Sequence, residues 1–173
     1  AASSGSEMRG GNNNFATQAQ SIVSQTTVAD HVEVLLGGND ICNRGCTDAA
    51  NCADPVYTDA QWRSSVQAGL DILVQNLPIG STVYLAGVPR VQDLRAAGLA
   101  KQATSSRIRC ENVWSSYDIC TIATSGSSLN GESSSQRLAA IEVVQQRYNA
   151  ILTEEANAYN GNSNGKNARG IEV

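Results

Sequence analysis

The sequence predicts an α/β fold built on a parallel β-sheet. Two short apolar runs carry that expectation. Val32-Glu33-Val34-Leu35-Leu36 stops abruptly at Gly37-Gly38-Asn39-Asp40, as a buried strand of a parallel sheet does at its terminal turn. Thr82-Val83-Tyr84-Leu85-Ala86 stops in the same way at Gly87-Val88-Pro89. Helix-length apolar stripes lie between and after these runs. The alternation of helix and strand argues for parallel strands joined by right-handed helical crossovers.

Length and composition set the frame. The chain has 173 residues, of which 41% are apolar, enough for one domain, residues 1–173, with a real core. There is no internal repeat and no sign of a second domain. The net charge is −4 and the isoelectric point about 4.9. Nothing basic enough for nucleic acid is present, and Arg107 with Arg109 is an isolated solvated pair. No apolar run reaches the roughly 18 residues of a membrane span, and no signal peptide opens the chain.

The elements follow in order. Residues 1–14 are small and polar, as in a surface loop. A helix is predicted over about Asn14–Thr26, with Asn13 or Asn14 as N-cap; Phe15, Ala19, Ile22 and Val23 recur at helical spacing. A strand is predicted from about His31 to Leu36, with His31 a surface residue at its start. A cysteine-bearing excursion covers Cys42–Pro55. A second helix over about Asp59–Leu77 has Thr58 as its cap and Trp62, Val66, Leu70, Leu73, Val74 and Leu77 as its stripe; Pro78-Ile79-Gly80 ends it. The second strand is Thr82–Ala86. The segment Val91–Glu132 is the least regular, with one short helix expected over Leu94–Gln102 and a Ser/Gly-rich run from Thr124 to Ser135. A long helix is expected over Ser134–Tyr159, burying Leu138, Ile141, Val144 or Gln145, Tyr148, Ile151 and Leu152. Asn160–Gly165 reads as a turn-rich break and Ala168–Val173 as a further strand.

Five cysteines in a chain this short favour disulfides and an oxidising setting, secreted, extracellular or periplasmic. The spacing of Cys42, Cys46 and Cys52 forms no CxxC pair, and the single histidine precedes the strand while the cysteines follow it, so no metal site is expected. Cys110 is expected to bond Cys120. The odd number leaves one of Cys42, Cys46 and Cys52 to bond outside this segment. The absence of an initiator Met and the strand-like C-terminus carry the same expectation: an internal piece of a longer protein.

The Gly37–Asp40 loop would stand where open α/β sheets gather their ligands, beyond the carboxyl end of a strand. Glycine there permits a sharp turn and close approach to a substrate. Asn39 offers a neutral amide donor that works at any ordinary pH. The same four residues are also ordinary turn composition.

Two blocks resemble the SGNH hydrolases, also called GDSL-type esterases and lipases. Ala29 to Asp40 looks like the family's third block, an apolar strand followed by Gly-x-Asn-Asp. Ala2-Ser3-Ser4-Gly5-Ser6 looks like its second block, and one helix separates the two as in the family. Gly87-Val88-Pro89 resembles the turn after the next strand. The likeness covers most of the chain and implies a three-layer flavodoxin-like sandwich with a parallel sheet, here as an incomplete portion. It implies ester hydrolysis by a serine, a histidine base and an orienting aspartate. It assigns Gly5 and Asn39 to the oxyanion hole, places Gly37, Gly38 and Asp40 around it, and requires no cofactor. The substrate would be a small-molecule, lipid or sugar ester, with Trp114 and Tyr117 available to line an acyl or sugar pocket or simply to pack locally.

The sequence departs from the family at the triad. It contains no Gly-Asp-Ser, no Asp-x-x-His and no Gly-x-Ser-x-Gly elbow. Ser3, Ser4 and Ser6 flank Gly5 without a nameable base. The nucleophile and base are therefore expected in N- and C-terminal segments of the same protein, and the isolated chain is expected to be neither stably folded nor active. A non-catalytic binding module related to the family and an unrelated secreted α/β domain are the alternative readings.

Overall fold

The structure, a computed structural model, describes residues 3–27, 29–105, 107–161 and 170–172. It is a mixed α/β chain with a parallel sheet, as expected. Two compact units partition it: Ala1–Gly37, Thr58–Val88 and Arg147–Val173 form the first, Gly38–Tyr57 and Pro89–Gln146 the second.

The first unit holds the sheet. Strand β1 is His31–Val34 and β2 is Thr82–Leu85; they pair in parallel, His31 opposite Thr82 and Val34 opposite Leu85. Strand β3, Gly170–Glu172, pairs in parallel on the other side of β2. Ala168 and Val173, the expected ends of that strand, lie outside the described residues, as do residues 162–165 of the expected break.

Helix α1, Phe15–Val23, is capped by Asn14, whose side chain accepts from the Thr17 N–H. It ends three residues before the expected Thr26. Helix α3, Asp59–Asn76, opens with a full capping box between Thr58 and Gln61. It buries Trp62, Val66, Leu70, Leu73 and Val74, the expected stripe. Gly69 interrupts that stripe because the Phe15 ring of α1 fills the space a side chain would take. The Trp62 ring stacks on Tyr148 at 4.0 Å between centroids and 4° between planes, and its Nε1–H donates to the Tyr148 carbonyl. Arg63 bridges Glu154 and Glu155. The Tyr159 hydroxyl donates to Asp71 at 2.9 Å; burial and that carboxylate push the phenol above its ordinary range.

Strand β1 is shorter than the sequence suggested. Its ladder ends where the Ala86 N–H donates to the Val34 carbonyl, and Leu35 is 70% exposed. Burial also alternates along it. Val32 and Val34 are buried while His31 and Glu33 are exposed, so one face meets the core, where a run buried on both faces was expected. His31 lies 4.8 Å from the Tyr84 ring and beside Glu33, a surface position as expected.

The second unit is made of short pieces tied by polar and covalent links. Helix α2 is Gly38–Cys42, α4 Leu94–Ala103, α5 Cys110–Ser116 and α6 Thr121–Thr124. A 3-10 turn, Val91–Asp93, precedes α4. Helix α7, Ser134–Gly161, begins in this unit. Ser133 caps it: its hydroxyl accepts from the Gln136 N–H while the Gln136 side chain accepts from the Ser133 N–H. Among the described residues no helix is long and apolar enough to cross a membrane.

The disulfides are Cys42–Cys120 and Cys46–Cys52, and Cys110 is the free thiol. This corrects the expected Cys110–Cys120 bond and the expected outside partner for the 42/46/52 group. The reason is tertiary. Cys110 opens α5 on the side that packs against Gly98 of α4, while α2 packs beside α6 and brings Cys42 to Cys120.

Candidate functional site

The Gly37–Asp40 segment follows β1 directly. Gly37 has φ +111, and a Cβ there would lie 2.6 Å from Val88 Cγ2 and 2.9 Å from Trp62 Cη2. Positive φ and this close approach both demand glycine. Val88 is itself pinned: its N–H donates to Asn149 Oδ1 at 2.6 Å and its carbonyl accepts from Asn149 Nδ2. The turn after β2 thus buttresses the glycine after β1.

Gly38, Asn39 and Asp40 do not form an open loop. They make the first turn of α2, in which the Asn43 N–H donates to the Asn39 carbonyl. Gly38 sits against Pro89. Asn39 is half-buried. Asp40 is fully buried, beyond the reach of a substrate, in the first turn where a carboxylate suits the helix dipole.

Gly5 belongs to the first unit and Asn39 to the second. Gly5 is exposed, with φ +74. Its turn is held by the Ser6 hydroxyl donating to the Ser3 carbonyl at 2.8 Å and by Asn13 donating to the Ser3 hydroxyl at 3.1 Å. Both serines are therefore engaged in shaping the turn. Among the described residues no cluster of three or more His, Cys, Asp or Glu is placed to hold a metal ion.

Two residues that the motif reading passed over, Glu132 and Arg137, organise the second unit. Glu132 is 6% exposed. Its carboxylate accepts from the Thr47 hydroxyl at 2.7 Å, the Thr47 and Asp48 N–H groups and the Asn51 amide. Burial pushes its pKa up, and these donors outweigh burial, leaving it below the ordinary carboxylate value. Arg137 is fully buried. Its guanidinium donates to the carbonyls of Ile122, Glu132, Ser125 and Ser127, and burial lowers its pKa against the opposing effect of Glu132. Gln92, on the 3-10 turn that packs beside α2, is buried with both amide atoms lacking a partner among the described residues.

One sequence signal pointed at this arrangement. Asn130 and Gly131 both have positive φ, 49° and 83°, between the reciprocal Leu129 and Glu132 backbone bonds. That is the two-residue turn that Asn-Gly favours, and it presents Glu132 to the cysteine loop.

The second unit also contains a cleft of about 400 Å³ beside α5 and α6. Trp114 lines it, half-buried. Tyr117, the other aromatic considered from sequence, is 75% exposed and is not among the cleft's lining residues. No family model, no curated protein and no solved structure matches this chain.

Proposed function

We propose that this chain is the oxyanion-hole half of a secreted serine ester hydrolase of the SGNH type, within a three-layer flavodoxin-like sandwich. The observation that carries the reading is the run from an apolar parallel strand into Gly37-Gly38-Asn39-Asp40, with Asn39 only half-buried on the turn that follows the strand. A tetrahedral intermediate concentrates negative charge on one oxygen. A fixed neutral amide stabilises that charge without reorganising, and removing one such donor typically costs about 10²–10³ in kcat. In this reading Asn39 donates through its side-chain amide. The serine nucleophile and the Asp–His pair come from elsewhere in the same protein, and no cofactor takes part. The two disulfides favour an oxidising compartment.

The test is esterase turnover of the source protein on p-nitrophenyl acetate and p-nitrophenyl butyrate. Asn39→Ala should lower kcat by about 10²–10³-fold with little change in KM and with the melting temperature retained. An Asn39→Ala variant that turns over like the parent, or a source protein that no serine-directed phosphonate labels, overturns the proposal.

A further inference from the structure

We infer that the cleft beside α5 and α6 is a binding site for a neutral saccharide. Its volume of about 400 Å³ falls within the ~300–1,000 Å³ of small-molecule sites. Among its lining residues are Trp114, Asn112, Asp118, Thr121, Glu111 and Ser125, all within the second unit.

The lining is ready for a ligand. The Asp118 carboxylate, the Asn112 amide and the Thr121 hydroxyl have no side-chain hydrogen bond or ion pair among the described residues. Glu111 differs: Arg95 at 3.3 Å and Gln102 at 3.4 Å already hold it. The cleft therefore presents an unpaired carboxylate, amide and hydroxyl beside an indole, while its other hydroxyls, on Ser115, Thr124 and Ser125, are already hydrogen-bonded.

The lining is also fixed in place. The Trp114 ring packs against Gly98 of α4, where any side chain would overlap it. Asp118 is held at φ +49 and is followed by Cys120 at φ +51, which the Cys42 disulfide anchors. Non-glycine residues held in the left-handed region cluster at functional sites. Of the other lining residues, Ser125 is fixed by Arg137, which takes its carbonyl at 2.7 Å.

The chemistry selects the ligand class. A sugar hydroxyl both donates and accepts, so it satisfies Asp118, Asn112 and Thr121 together. The C–H face of a pyranose lies against an indole. A phosphate or other anion would meet the Asp118 charge. A protonated amine only donates and would leave the Asn112 N–H groups unpaired. A fatty chain would bury all three polar groups without partners, at a cost of about 1–3 kcal/mol each.

The two tryptophans provide the readout. Trp62 is fully buried in the first unit, so a change in emission on adding ligand that Trp114→Phe removes reports Trp114. The protein is titrated with cellotriose, xylotriose, mannotriose and tri-N-acetylchitotriose, and with cadaverine and inorganic phosphate for comparison. At least one saccharide should give a saturable emission change. Asp118→Gly, which accepts the positive φ, should weaken it about tenfold or more, and Trp114→Phe should abolish the signal while calorimetry detects weaker binding. The inference is overturned if no saccharide saturates at millimolar concentration, if cadaverine or phosphate alone does, or if Asp118→Gly binds as the parent does. Binding is read without turnover, so this result and the esterase result stand or fall separately.

Discussion

Glu132 shows how much one buried carboxylate can organise. Four donors converge on it from Thr47, Asp48 and Asn51, all inside the loop closed by Cys46–Cys52. A charged acceptor with several donors is stronger than the sum of neutral bonds, and leaving those donors unpaired costs about 1–3 kcal/mol. Glu132→Gln should therefore lower unfolding free energy by about 1–3 kcal/mol at neutral pH. The pH sign follows from the lowered pKa. The stabilisation is complete above the unfolded value near 4.5 and is lost as pH falls through the lower folded value. Denaturant melts of parent and variant should thus differ at neutral pH and converge in acid; a constant difference at every pH would contradict the assignment. Gly37 is the counterpart among small residues. Its need for glycine is fully met by φ +111 and the contacts to Val88 and Trp62, so packing explains it before any substrate is invoked.

At the scale of elements, the chain divides by how much help each piece needs. Helix α3 forms from local signals that agree: a capping box, an apolar stripe and a proline after its end. Helices α2, α5 and α6 are five, seven and four residues long, too short to persist alone. The composition of α5, Cys-Glu-Asn-Val-Trp-Ser-Ser, and of α6, Thr-Ile-Ala-Thr, is poor in strong helix formers. Tertiary links hold them: the Cys42–Cys120 bond joins α2 to α6, and Arg137 takes the Ile122 carbonyl. The loop-entropy account ranks the two disulfides. A separation of 78 residues corresponds to about 4.5 kcal/mol and one of 6 to about 2 kcal/mol. Replacing Cys42 and Cys120 by serine should therefore destabilise the protein by roughly twice as much as replacing Cys46 and Cys52. Urea unfolding under non-reducing conditions measures both, and equal losses would show that native-state contacts, rather than chain entropy, dominate.

At the scale of the whole molecule, the two units are held together internally by different means. The first carries the sheet and the apolar packing of Trp62, Leu70, Leu73, Val83, Leu85 and Tyr148. The second carries both disulfides, the Glu132 cluster and the Arg137 cluster. Reduction should act unevenly. With both bonds reduced, hydrogen exchange should accelerate through Gly38–Tyr57 and Pro89–Gln146, while β2 and α3 keep their protection. Equal loss of protection in α3 would show that the first unit depends on the cysteines. The contrast also explains the uneven reading of the sequence. The helices over Phe15–Val23, Asp59–Asn76, Leu94–Ala103 and Ser134–Gly161 and the parallel strands were legible, because period, cap and breaker lie within a few residues of each other. The second unit was legible mainly as an irregular excursion, because its links join residues far apart in the chain.

By itself the sequence determined the α/β class, the parallel pairing, a cap at Asn13 or Asn14, the cap at Thr58, and the placing of Gly37–Asp40 after the first strand, all of which follow from local backbone preference and apolar periodicity. Only the tertiary structure decided that Cys42 meets Cys120, that Cys110 stays free, that Asp40 is buried, that Glu132 gathers the cysteine loop, and that Trp114 and Asp118 share a cleft. Those outcomes depend on which surfaces pack together, and segments distant in sequence carry no local mark of the neighbour they will meet.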